Sequence, residues 1–232
     1  MPAPAGGPRT SRLARLARGA SEVRAAETEA AQERCELCGE PIAPEHRHLL
    51  DLESRELMCA CQACKILFDR GAAGGGHYRL VPERRVRVDD LELDDPLWDG
   101  LRIPVDMAFF FHSSAAGRVQ AFYPSPMGPT ESQLGLSAWE ELAARNPVLS
   151  TLEPDVEALL VNRVGGARRH WLVGLDECYA LVGVIRTRWR GLSGGREVWG
   201  EITAFFEDLD RRSSPASRMD TGTANQEGTW PR

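Results

Sequence analysis

Apolar positions along the chain recur at two spacings, one predicting strands and the other helices. Residues 47–52 read as a short strand, 53–55 as a polar turn and 56–58 as a returning strand, with apolar and polar positions closely interleaved. A helix starts near residues 61–68, where Ile66, Leu67 and Phe68 supply an apolar side. Short strands follow at 78–81 and 86–88, and a hairpin joins 105–112 to 118–123 across the turn 113–117. Prolines at 124, 126 and 129 predict a loop over 124–129. Residues 137–145 read as a short helix, with Ser137 as its cap and Glu140 completing a capping box. A second hairpin joins 156–164 to 170–175 across Gly165 and Gly166. Two amphipathic helices close the pattern. Asp176 is the predicted cap of the first, whose apolar face carries Cys178, Leu181, Val182, Ile185 and Trp189. Gly194 and Gly195 separate it from the second, which carries Val198, Ile202, Phe205, Phe206 and Leu209.

The same pattern divides the chain. Residues 1–34 form a basic, partly helical or disordered arm in which Arg9, Arg12, Arg15, Arg18 and Arg24 recur around Leu13 and Leu16. Residues 35–70 form a cysteine-rich module, 71–76 a glycine-rich linker, 77–210 an α+β domain and 211–232 a polar, disordered tail. The glycine run has no following Lys or Ser/Thr and no strand-to-helix setting, so it is a linker rather than a phosphate loop.

Composition narrows the class. At 232 residues and 42% hydrophobic, the chain can bury one sizeable core and a small satellite. No apolar run reaches membrane-spanning length, and the start lacks the hydrophobic stretch of a secretory signal. Lys65 is the single lysine among 28 basic residues, which points to a GC-rich bacterial gene and a cytoplasmic protein. The net charge of −6 disfavours a nucleic-acid partner, since phosphate binding asks for a basic surface.

The candidate chemistry lies in the cysteines. Five of six fall in the segment Cys35-Glu36-Leu37-Cys38 and Cys59-Ala60-Cys61-Gln62-Ala63-Cys64. A two-residue gap lets both sulfurs of a pair turn toward one ion, and the 22 residues between the pairs must double back to bring the second pair opposite the first. Knuckle, hairpin and a helix carrying the second knuckle make a treble-clef or zinc-ribbon arrangement. The expected ligands are Cys35, Cys38, Cys61 and Cys64, with Cys59 as the alternative third ligand. The expected metal is Zn²⁺, with iron the alternative. His46 and His48 flank Arg47 at the start of the hairpin, where they are either ordinary strand residues or metal ligands, in a mixed Cys/His set or on a second ion. His77, His112 and His170 stand alone, and Phe109, Phe110, Phe111 and Trp171 read as core. Cys178 sits in the first turn of a helix, but on its apolar face, which favours a packing thiol over a reactive one. The fold class is α+β: the metal module, then a mixed antiparallel sheet domain with two C-terminal helices.

Two resemblances extend this reading. Residues 35–68 resemble the zinc knuckle of His-Asn-His-type nucleases, with His48 at the first catalytic position and Lys65 where the second histidine or asparagine belongs. A broader resemblance rests on several segments. They are Cys35-Glu36-Leu37-Cys38-Gly39-Glu40-Pro41-Ile42, His46-Arg47-His48-Leu49-Leu50-Asp51-Leu52 and the Cys59–Cys64 run. Near the end come Asp176-Glu177-Cys178-Tyr179-Ala180-Leu181-Val182-Gly183-Val184-Ile185-Arg186 and Trp189-Arg190-Gly191-Leu192-Ser193-Gly194-Gly195. These are similar to a bacterial domain family of unknown function, found mainly in actinobacteria and encoded beside nickel–iron hydrogenase genes. The resemblance implies a hydrogenase accessory protein whose partners are hydrogenase subunits or maturation factors, and it implies no catalytic residue. The expected function is therefore a non-enzymatic, zinc-binding accessory role, with a rubredoxin-like iron electron carrier as the alternative and a degenerate nuclease behind it.

Overall fold

Adjacent side chains of an extended strand point to opposite faces, and the first hairpin uses both of them. Strand β1 (Arg47–Asp51) pairs antiparallel with β2 (Leu57–Ala60) on one edge and β3 (Tyr78–Leu80) on the other. The result is a three-stranded sheet of order β2-β1-β3. Leu49 and Leu50 are both buried, in different cores. Leu49 packs with Cys35, Ile42, Ala60, Cys61 and Cys64, whereas Leu50 joins the main core around Phe109, Leu160 and Trp171. The computed structural model describes residues 33–68, 76–191 and 194–216. The arm up to residue 32, the glycine run up to 75, the pair 192–193 and the tail from 217 lie outside the described residues.

The second sheet has seven strands: β4 (Arg85–Arg87), β5 (Met107–Ser113), β6 (Arg118–Ser125), β7 (Gly128–Ser132), β8 (Glu157–Asn162), β9 (Arg169–Gly174) and β10 (Ser214–Pro215). Their order is β10-β4-β9-β8-β5-β6-β7, antiparallel throughout except for the β10–β4 pair. Strand β8 is buried along its whole length and β5 nearly so, which is why both read as continuous apolar runs rather than alternations. Phe109 and Phe111 enter the core that also holds Leu181, Val182, Ile185, Val198, Ile202 and Phe206, residues of α4 (Leu175–Arg188) and α5 (Gly195–Arg212). Phe110 enters the opposite core with Leu97, Trp98, Ala138 and Leu142. Those residues come from α2 (Asp95–Gly100) and α3 (Leu136–Arg145). A mixed sheet with helices on both faces is α+β, as the sequence predicts.

Three local expectations are corrected. The loop over 124–129 is a tight hairpin: Pro124 sits opposite Pro129 and Ser125 opposite Gly128, so only Pro126 and Met127 turn. Pro129 is tolerated because β7 is an edge strand, and Pro124 because the pairing of β6 with β5 has already ended at Phe122. Ser125 Oγ also donates to the Gly128 carbonyl at 2.8 Å and accepts the Met127 N–H at 3.2 Å. Helix α3 begins at Leu136 with Gly135 as its cap, so Ser137 lies inside the helix. Close packing decides this start, since a Cβ on residue 135 would fall 2.1 Å from the Gly100 carbonyl oxygen. Helix α4 is capped by Gly174, not Asp176. The Asp176 carboxylate accepts its neighbour Glu177 N–H at 2.9 Å through Oδ1 and turns Oδ2 toward the first hairpin.

That hairpin is fastened to the body by polar contacts as well as by Leu50. Arg47 donates to the Val81 carbonyl at 2.8 Å and pairs with Glu83 at 2.9 Å. Arg55, at the turn with φ of 65°, donates to Ser113 Oγ at 2.8 Å and lies 5.5 Å from the centre of the Phe111 ring. Arg79 donates to the Pro154 carbonyl at 2.8 Å.

Candidate metal centre

The first knuckle is a closed turn. Cys35 N–H donates to the Glu40 carbonyl at 2.8 Å, and Gly39 N–H donates back to the Cys35 carbonyl at 2.8 Å. Gly39 has φ of 78°, a left-handed conformation that a side chain resists, and this turns both sulfurs to one side. The second knuckle forms where β2 ends and helix α1 (Gln62–Phe68) begins. Lys65 N–H donates to the Cys61 carbonyl at 2.9 Å, and Cys64 N–H donates to Cys61 Sγ at 3.4 Å.

These turns bring Cys35, Cys38, Cys61 and Cys64 together, with all four sulfurs within 4.8 Å of one another and Cys38 Sγ 3.6 Å from Cys61 Sγ. Four thiolates at about 2.3 Å from one ion lie about 3.8 Å apart, so the cluster already has the size of a tetrahedral site. Cys35, Cys61 and Cys64 are buried, and Cys38 is the exposed corner. Their acidities are split. Burial raises the Cys35 thiol, but backbone N–H groups of Cys61, Leu37 and Cys38 directed at its sulfur outweigh it and bring it to about 6. At Cys38 a backbone N–H of Glu40 lowers the thiol, but hydrogen bonding with Cys35 and Cys61 together with burial leaves it raised. Burial, reinforced by the neighbouring sulfurs, pushes Cys64 well up. Crowded sulfurs share one negative charge poorly, and a divalent cation among them reverses this by holding all four as thiolates. The donor set suits zinc or iron alike.

The model of a family of unknown function, DUF5947, matches residues 34–213. The chain belongs to this family. The match takes in the cysteine module and the seven-stranded body together, so in DUF5947 the two are parts of one unit. No curated protein and no solved structure matches the chain.

The other candidate residues of this DUF5947 chain fall in distinct places. Cys59 groups with His46 and His48, one ligand atom from each lying within 4.8 Å of the others. Cys178 is fully buried in the main core, and burial, with Asp176 and Glu177 nearby, raises its thiol far above the usual range. His170 is buried and its imidazole is pulled down to about 4, chiefly by burial. His112 is lowered for the same reason, and His77 is exposed 4.0 Å from Glu53. Phe109, Phe110, Phe111 and Trp171 are core residues, the indole N–H donating to Asp210 at 3.1 Å. Sequence reasoning missed Asp176 as a partner of His48, at 2.9 Å across 128 residues of chain. Of the apolar side it assigned to α1, Phe68 packs against the module core, whereas Ile66 and Leu67 are 61% and 58% exposed and Cys64 is the buried residue of that helix. No described helix is long and apolar enough to cross a membrane.

Proposed function

We propose that this chain is a non-catalytic, zinc-binding accessory protein whose metal module docks a protein partner. The observation that carries the reading is the exposed pair Ile66 and Leu67 on α1. Large apolar side chains side by side on a short, metal-pinned helix are costly for a free surface and useful for an interface. A groove of about 980 Å³ beside this helix adds to it, with Arg47 and Lys65 on the module side and Glu83, Arg85, Asp208 and Arg212 on the body side. Charge of both signs along the rim fits recognition of a folded protein better than that of a nucleic acid. The client we propose is the one that the resemblance described above implies: subunits of a nickel–iron hydrogenase or their maturation factors. The basic arm would add attraction to an acidic client, weakening with salt.

The test pairs Ile66→Asp with Leu67→Asp in the full-length protein. Both positions are exposed, so metal content and thermal stability stay at the wild-type level, while co-purification with hydrogenase subunits from native cells is lost and hydrogen uptake falls. Unchanged capture and uptake in this variant would overturn the docking reading. An electron-carrier role is the second reading, favoured by the exposed corner at Cys38 and the Cys64 N–H to Cys61 Sγ bond, features that suit a redox iron site. The absorption spectrum of protein purified from native cells decides between them: colourless protein with zinc supports the first, and red protein with thiolate-to-iron bands the second.

A further inference from the structure

We propose a second metal site, separate from the four-sulfur cluster, formed by His46, His48 and Cys59. Strand geometry assembles it. His46 directly precedes β1 and His48 is its second residue, a two-residue spacing that puts side chains on one face wherever the chain is extended. His48 is paired in register with Cys59 across the β1–β2 hairpin, where opposite side chains lie within about 5 Å. The imidazole rings meet edge to face with centroids 4.8 Å apart, and one ligand atom from each of the three residues lies within 4.8 Å of the other two.

The nitrogens not needed for binding are already committed. His46 Nδ1 is 2.9 Å from the Ala43 carbonyl oxygen, and His48 Nδ1 is 2.9 Å from Asp176 Oδ2. A ring held through Nδ1 by a carbonyl or carboxylate carries its proton there and offers Nε2 as a lone pair, which is how metal-binding histidines are oriented. His46 Nε2 is buried with no hydrogen-bond partner, in a side chain only 9% exposed. A buried orphan of this kind calls for a partner, and a cation facing His48 and Cys59 is one. Cys59 is fixed from behind: its N–H donates to Glu36 Oε2 at 2.6 Å and its carbonyl accepts the Glu36 N–H at 3.0 Å.

Two imidazoles and one thiolate suit a borderline divalent ion such as Zn²⁺ or Co²⁺. Three protein ligands leave a tetrahedral ion with one position for water or a ligand brought by a partner, whereas the four-sulfur cluster is closed. The two sites therefore differ in kind: one complete, the other exchangeable. This inference stands apart from the accessory reading and does not depend on what the protein docks to.

The test uses the full-length protein saturated with Zn²⁺ and freed of unbound ion. It should hold two equivalents, and a chelator should remove one far faster than the other. Cys59→Ser and His46→Gln should each lower the content to one equivalent while leaving the slow one in place. Asp176→Asn, which disturbs only the orienting carboxylate, should weaken the fast site about 10- to 100-fold. Histidine-selective ¹⁵N spectra of the unmutated protein make the answer independent of how the variants fold: zinc should shift Nε2 of His46 and His48 and leave Nδ1 protonated. One equivalent at saturating zinc would overturn the site. So would a second equivalent that survives both substitutions, or histidine signals that zinc leaves unmoved.

Discussion

Cys64→Ser removes a buried sulfur from the four-thiol cluster, and its effect should stop at a boundary visible in the packing. Apart from cysteines, the buried side chains of the module core are Ile42, Leu49 and Ala60. Their burial contributes about 5 kcal/mol in all. Three such side chains are too few to hold residues 33–46 and 58–68 against the conformational entropy of a free backbone. A structural zinc ion supplies on the order of 10 kcal/mol to such a module, so its occupancy decides whether these segments are folded. Strand β1 is different, because Leu50 is sealed in the main core, Leu57 packs against the same core, and β3 holds the other edge. Opening should therefore halt at Arg47 on one side and Leu57 on the other. Hydrogen exchange read by mass spectrometry measures this directly. Residues 33–46 and 58–68 should exchange at nearly unfolded rates in Cys64→Ser, or in chelated wild type, while β5, β8 and β9 keep full protection. Protection of both segments without metal would refute the reasoning, as would collapse of the central strands along with them.

Two further predictions concern the body. His170 has its pKa lowered to about 4 from the usual 6.5, so the unfolded chain binds a proton between those values that the folded chain refuses. Stability should be fully present above about pH 6.5 and fall by up to about 3 kcal/mol as pH drops toward 4, with urea melts of His170→Phe showing a shallower slope than wild type over that window. Glu177 is buried and accepts Arg85 Nε at 2.5 Å and two Arg212 nitrogens at 2.7 and 3.1 Å. Glu177→Gln should cost about 3 kcal/mol by leaving two guanidinium groups facing a neutral amide, and a loss below about 1 kcal/mol in denaturant melts would show that the two arginines find other partners.

What the sequence revealed and what it hid divide along one physical line. The hairpin 47–60, the helix from residue 62 and the paired phenylalanines of β5 were legible because each is written in a local period: alternation for a half-buried strand, a continuous run for a central one. The knuckles were legible for the same reason, since two residues between cysteines is itself a geometric statement. Helix starts were less so. Ser137 and Asp176 carry capping side chains, yet Gly135 and Gly174 hold the caps, because close backbone approach at α2 and β3–β4 outweighs a single side-chain hydrogen bond. Docking was not legible at all. Nothing near Asp176 marks it as the partner of His48, and nothing near Leu50 says that it belongs to a different core from Leu49. Such contacts join residues with no shared period, so only the fold brings them together. That is also why the sequence leaves the histidine pair open, as ordinary strand residues or as ligands. His46 and His48 gain a chemical meaning only once Cys59 stands opposite one of them and the Ala43 carbonyl and the Asp176 carboxylate have each claimed the nitrogen that a ligand does not need.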